Sequence, residues 1–159
     1  MLKCIVFCGV MFLAIQFIGC ALPPQATEID KKTEDVVDIK LSKSEIYNKC
    51  LQWMATTFVS SKHVIELQDS AQGVIIGNGI VEASWQSMTF LIKFSLRIDI
   101  KDQKYRFKSF NYVAHYGNTS NPGNPNMSKE LADKTRDKIS ELEKSLFSYL
   151  SENNKSNDF

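Results

Sequence analysis

Between Thr89 and Lys101 apolar and polar residues alternate, with Leu91 the one exception. Phe90, Ile92, Phe94, Leu96, Ile98 and Ile100 fall on one side, and Lys93, Ser95, Arg97, Asp99 and Lys101 on the other. A period of two over that length predicts a strand with one buried and one wet face, as in an antiparallel sheet covered on one side. The neighbouring segments extend the pattern. Val36, Val37, Ile39 and Leu41 read as a short first strand, His63–Gln68 and Val74–Trp85 as two more, and Lys104–Tyr116 as a fifth after a tight Asp102-Gln103 turn. Two stretches carry the helical period instead. Ser42-Lys43-Ser44-Glu45 is a capping box, and Ile46, Cys50, Met54 and Phe58 follow at steps of four, widened by Tyr47, Leu51 and Trp53, to an end near Ser60. Ser128 caps a last helix whose stripe is Leu131, Thr135, Ile139, Leu142, Leu146, Tyr149 and Leu150. GNTSNPGNPN, residues 117–126, is a loop by composition.

The last strand holds an anomaly. Tyr105 and Phe107 are in phase, but the apolar set then moves to Phe110, Tyr112 and Ala114. A change of parity flips faces, so either a β-bulge sits near Lys108-Ser109 or the later aromatics point outward.

The amino terminus is processing information. Lys3 precedes an apolar run, Cys4–Ile18, with Gln16 its only clearly polar member. At about 15 residues it is short of the roughly 20 that a span needs and fits a signal peptide. It ends in Phe17-Ile18-Gly19-Cys20, which looks like the lipobox of bacterial lipoproteins, with Phe17 where Leu is usual. The small Gly19 lets a peptidase approach the backbone, and the Cys20 thiol takes the lipid. The competing reading is a plain secretory signal with an accidental Cys. The expected layout is a leader at 1–19, a lipidated Cys20 with a tether to 35, a domain at 36–152 and a disordered tail at 153–159. The tether, polar and holding Pro23-Pro24, has a typical coil reach of roughly 20 Å. Two or three acyl chains, at about 0.8 kcal/mol per buried CH₂, hold a protein on a membrane where one does so marginally. Ala21 after the Cys points to the outer rather than the inner membrane of a bacterial envelope, by analogy with known sorting rules.

Processing changes the composition argument. Cys4 and Cys8 leave with the leader, so Cys50 has no partner for an internal disulfide and the core must hold the domain. About 140 residues suffice for one domain. The 19 basic and 18 acidic residues become equal in number once Lys3 is removed. A near-neutral exported chain argues against nucleic acid as a partner, which favours a basic patch.

The order β-α-β-β-β-β-α limits the topology to few solutions. Four segments carry a resemblance: Leu41–Tyr47 with the capping box, Leu51-Gln52-Trp53-Met54, Gly73–Gly79 (GVIIGNG), and Ile98–Phe107 with its Lys104-Tyr105-Arg106 after the turn. They resemble a bacterial family of exported domains of unknown function with a TATA-binding-protein-like (TBP-like) fold. The resemblance covers Val36 to Tyr116, and the last helix fits less specifically. It implies an α+β class: a curved antiparallel sheet with two helices on one face. It implies no catalytic residues and no activity. The TATA-binding protein lays its concave sheet face on DNA, but a fold is not a function.

No residue pattern points to catalysis, a cofactor or a metal. His63 and His115 lack metal-ligand spacing. Cys50 lies on an apolar stripe and reads as a small hydrophobe. Gly73, Gly77 and Gly79 have no following Lys-Ser/Thr or helix, so they read as strand glycines rather than a phosphate loop. The wet sheet face is the surface to examine: Lys93, Arg97 and Arg106, beside Phe110 and Tyr112 if those point outward. The expected function is a non-enzymatic envelope lipoprotein that binds a partner protein there. The alternatives are an apolar-ligand carrier using space between the sheet and the last helix, and, ranked last, an enzyme.

Overall fold

The structure, a computed structural model, describes residues 33–58 and 65–152. Cys20 and the rest of the leader, the tether up to residue 32, His63, Ser60 and the 153–159 tail lie outside the described residues. Within them the chain runs β1 (Thr33–Asp38), α1 (Lys43–Thr57), β2 (Ile65–Asp69), β3 (Val74–Trp85), β4 (Met88–Lys101), β5 (Lys104–Tyr116) and α2 (Lys129–Glu152). The strands form one curved antiparallel sheet in the order β1-β5-β4-β3-β2. α1 therefore carries the chain from one sheet edge to the other. β1 begins at Thr33, so Thr33–Asp35, expected in the tether, belong to the sheet, while Ile39 and Leu41 follow it.

The capping box forms as the sequence predicts. Ser42 Oγ accepts from the Glu45 N–H and the Ser42 N–H donates to Glu45 at 2.8 Å. The start of α1 is also tied to two turns. Lys43 Nζ donates to the Ala71 carbonyl at 2.7 Å, and the Lys43 N–H donates to Asp102 at 3.2 Å.

Both helices lie on the face that β4 makes with its even-numbered residues. Ile92, Phe94, Leu96, Ile98 and Ile100 are all at most 2% exposed there. Trp53 and Met54 of α1 and Ile139 and Leu146 of α2 close over them, each at most 1% exposed. An aromatic ladder runs through this layer. Trp53 meets Phe58 edge-on at 5.6 Å, Phe58 meets Phe94 at 6.4 Å, and Phe94 stacks on Tyr112 at 6.1 Å. Its space comes from Gly79, which pairs with Phe94 across the strands. A Cβ at Gly79 would lie 2.5 Å from Phe94 Cζ and 2.8 Å from Phe58 Cε1. Gly79 is a strand glycine that admits two rings.

The parity change in β5 is a bulge, but not at Lys108-Ser109. Lys93 pairs with Val113 and Ser95 with Phe110, so β5 has one residue more than β4 between those pairs. Asn111, at φ +55°, takes the extra position. Asn tolerates that left-handed conformation better than most residues. Ser109 stays in phase with Tyr105 and Phe107, fully buried, because its Oγ accepts a 2.5 Å hydrogen bond from the Tyr112 hydroxyl. Phe110 points to the outer face and Tyr112 to the core.

Gly79→Val should cost about 2–4 kcal/mol, because the branched side chain must displace both rings. Urea denaturation of the two proteins measures it. A change within 0.5 kcal/mol, roughly the scatter of a surface substitution, would mean the rings have other room.

Candidate functional site

The outer sheet face can be read row by row from the register. One row is Val36, Arg106, Asp99 and Val74, and the next is Glu34, Lys108, Arg97, Ile76 and Leu67. Farther along, Phe110, Ser95 and Asn78 form a row, and Val113, Lys93 and Ile80 another. The face is therefore split. Its β1-β5-β4 side is charged, and its β3-β2 side carries Leu67, Ile76 and Ile80, with Asn78 between the two isoleucines bonded to Glu66 and Ser95.

The charged side is bound to itself. Arg97 donates to Asp99 Oδ1 from Nε at 2.8 Å and from Nη2 at 2.7 Å. Arg106 donates to Asp99 Oδ2 from Nη2 at 2.7 Å and from Nε at 3.1 Å, and its Nη1 reaches Glu34 at 3.3 Å. Lys108 joins Glu34 at 3.2 Å. Arg97 and Lys108 stand opposite each other, a like-charge pair that alone would repel, and each turns to a carboxylate instead. Partial burial opposes ionisation of Asp99, but the hydrogen bonds from Arg97 and Arg106 outweigh it and hold its carboxyl below the ordinary value.

On the apolar side Ile80 is 49% and Leu67 46% exposed, with Ile76 partly exposed between them and the ion pairs. Of the five residues expected on this face, Lys93, Arg97, Arg106 and Phe110 are there. Tyr112 is not. It is 4% exposed on the opposite side, because the Asn111 bulge turns it inward. Leu67, Ile76 and Ile80 were missed, although β3 alternates across Gly77 and Gly79 and could have shown the two isoleucines.

A second cluster, absent from the sequence reading, lies where α2 crosses the β1 edge. Asp35 pairs with Phe107, which puts it on the helix-covered face. Its carboxyl shares a hydrogen bond with Glu143 of α2. Burial, then that hydrogen bond, then the Asp35 charge push the Glu143 carboxyl up to about 7. Glu143 Oε1 and the Tyr105 hydroxyl are buried with no hydrogen-bond partner among the described residues. The Tyr105 phenol is pushed up by burial and by the negative charge that Cys50 and Glu143 can carry. Burial pushes the Cys50 thiol up to about 12, so it is a neutral core group, as expected.

Of the two histidines, His63 lies outside the described residues and His115 is packed into the fold. His115 is buried, and its Nδ1 is 2.9 Å from the Asn121 carbonyl oxygen, which only accepts, so Nδ1 carries the proton. Among the described residues no three His, Cys, Asp or Glu side chains converge as metal ligands. Two open surface depressions, of about 380 and 510 Å³, lie near Asp102 and hold neither Asp35 nor Glu143.

Residues 33–113 match the family described as "Domain of unknown function (DUF4468) with TBP-like fold". The chain belongs to this family. Two solved structures share the fold. A TBP-like protein from Parabacteroides distasonis has a TM-score of 0.62 at 17% identity, over 79% of this chain and 96% of its own. A DUF4468 family protein from Bacteroides ovatus has a TM-score of 0.55 at 15% identity, over 81% and 90%. No curated protein matches. At such identities the two structures speak to the fold, and the family brings no activity with it.

The carboxyl pair makes the DUF4468 domain's stability depend on pH. Glu143 has a folded value of about 7 against an ordinary 4.5. The folded state thus holds a proton that the unfolded chain releases in that window. The pair's contribution is complete below the lower value and is lost as pH rises to the upper one. Solvent screening at this half-buried site limits the loss to about 1–2 kcal/mol. Glu143→Gln should remove that part of the slope and stabilise the protein at pH 8, as read by urea denaturation at pH 5, 6, 7 and 8. A variant with the wild-type slope would remove the pair as its cause.

Proposed function

We propose that this chain is a bacterial envelope lipoprotein, held by acyl chains on Cys20, whose domain binds a partner protein through the outer sheet face without catalysis. One observation carries the binding part. Leu67, Ile76 and Ile80 present an apolar strip beside an ion-pair network whose Arg97, Asp99 and Arg106 are already satisfied within the chain. A partner that covers the strip gains apolar burial and meets charges that are oriented in advance. Apolar contact flanked by polar groups is the anatomy of protein interfaces, and here the polar groups flank the strip on its β4 side. Lys93, exposed beside Ile80, extends the rim.

The packing favours this surface over an internal chamber. Trp53, Phe94, Phe107, Tyr105 and Ile139 fill the space between sheet and helices, each at most 2% exposed. An apolar ligand held there would have to displace them. The non-catalytic reading rests on where the titratable groups meet. Glu143 and Tyr105 meet under α2, with Asp35 at the exposed strand edge beside Glu143, and the depressions near Asp102 include none of the three.

Two measurements test the proposal. Mass spectrometry of the protein made in a lipoprotein-processing bacterium should find Cys20 first in the chain and acylated. A free, unmodified Met1 terminus would end the anchor reading. In-cell cross-linking should then join the wild-type face to a defined protein, and Ile80→Asp or Leu67→Asp should lower that yield at least tenfold, since a charge in an apolar contact costs more than about 1.4 kcal/mol. Charge reversal of Lys93 and Arg97 should lower it as well. Unchanged cross-links in all of these would place the partner elsewhere.

A further inference from the structure

The two ends of the sheet differ in charge. β1, β2 and β4 run toward the end that carries Asp38, Lys40, Asp69, Lys101, Asp102 and Lys104. β3 and β5 run toward the other. There the β3-β4 hairpin closes through Gln86-Ser87, both at positive φ, and β5 leaves through Tyr116 into the 117–127 loop. The 10 residues 83–92 and the 20 residues 109–128 that build this end include no Lys, Arg, Asp or Glu, and the nearest strand charges are Glu82 and Lys93 on the outer face, opposite Leu91 and Val113. At the chain's 23% charged residues, about seven would be expected. Charge resumes at Lys129 and Glu130, the start of α2.

This uncharged end is aromatic. Trp85 and Phe90 lie 6.5 Å apart, and Phe90 and Tyr116 5.7 Å apart. Trp85, Met88 and Phe90 are half-buried and Tyr116 is 58% exposed. Rings with an apolar body and a polar tip, ringed by uncharged Ser, Thr, Asn and Gln, suit the boundary between lipid and water. A protein rim would instead carry charge, as the outer face does.

β1 also starts on this side. It is antiparallel to β5 and pairs Thr33 with Ser109, so its first residue is the one nearest the Tyr116 end. Cys20 precedes Thr33 by 13 residues, which span at most about 45 Å in any conformation. From Ser109 to Tyr116 the strand rises roughly 23 Å. A lipid on Cys20 can therefore lie in the plane that the hairpin tip touches.

We propose that the uncharged end, with Trp85, Met88, Phe90 and Tyr116, rests on the bilayer surface and fixes the domain's orientation there, with the charged end pointing away. This rests on the lipid anchor at Cys20 and goes beyond it, since an anchor alone leaves the domain free to turn. The outer sheet face then stands along the membrane normal and opens sideways, toward a partner in the same membrane or beside it.

The test uses the full acylated protein in phosphatidylethanolamine–phosphatidylglycerol vesicles with and without brominated acyl chains, which quench indoles that reach them. The chain has two tryptophans, and Trp53 is 1% exposed in the core. Bromolipid should remove roughly half of the wild-type emission and none from Trp85→Phe. Tyr116→Asp, a change at an exposed position, should restore most of the lost emission. Mass spectrometry of the same sample separates the failures. Acylated Cys20 with unquenched Trp85 overturns the docked tip and leaves the anchor standing. Unmodified Cys20 overturns both.

Discussion

One extra residue in β5 keeps the two faces of this sheet chemically distinct. Before Asn111 the inward residues are Tyr105, Phe107 and Ser109, and after it Tyr112 and Ala114. Without the insertion β5 would present Tyr112 to solvent and Asn111 to the core. Each such exchange costs kilocalories, because a buried polar group needs a partner and an exposed ring forgoes its burial. The bulge lets one strand serve two neighbours: β1 along its first half, and along its second the segment whose Asn124 bridges to Ala114. It also returns Tyr112 to Phe94, completing the ladder that starts at Trp53.

The core and the surface are partitioned in different directions. Across the sheet, the helix-covered side is a dense aromatic and aliphatic layer, admitted at its tightest point by Gly79. The open side is divided between an ion-pair network and an apolar strip. Along the sheet, charge is concentrated where β1, β2 and β4 end and sparse, among the described residues, where β3 and β5 end. The Asp35–Glu143 contact lies on the rim of the first partition. It joins α2 to an edge strand through two acids, a link that holds best when one keeps its proton.

Local patterns carried most of the fold into the sequence. The alternation of β4, the capping box at Ser42 and the bounds of β3 and β5 were legible because each follows from neighbours a few residues away. The misplacements have a common cause. Ser109 is a buried hydroxyl satisfied by Tyr112, so a reading that equates polar with exposed offers either a bulge two residues too early or an outward Tyr112. Asp35 and Glu143 meet across most of the chain's length, and no local period marks that. Asp35 was assigned to the tether because a carboxylate at a strand's start looks like linker. Four of the five expected outer-face residues were placed correctly, since parity fixes a face. Their mutual pairing was not legible, because it depends on the register of β1, β5 and β4 together. The uncharged stretches 83–92 and 109–128 are plain in the sequence, but only the antiparallel pairing brings them to one end.

A shared fold passes on geometry, and here the geometry is occupied by other chemistry. A sheet that grips nucleic acid needs cations free to replace counterions on phosphates. On this face Arg97 and Arg106 each give two N–H groups to Asp99, and Lys108 turns to Glu34. Drawing them onto phosphate would leave Asp99, already drawn partly out of water, without the donors that keep it ionised. The residues that alternate outward set the chemistry of a curved sheet's open face, while those that alternate inward preserve its shape.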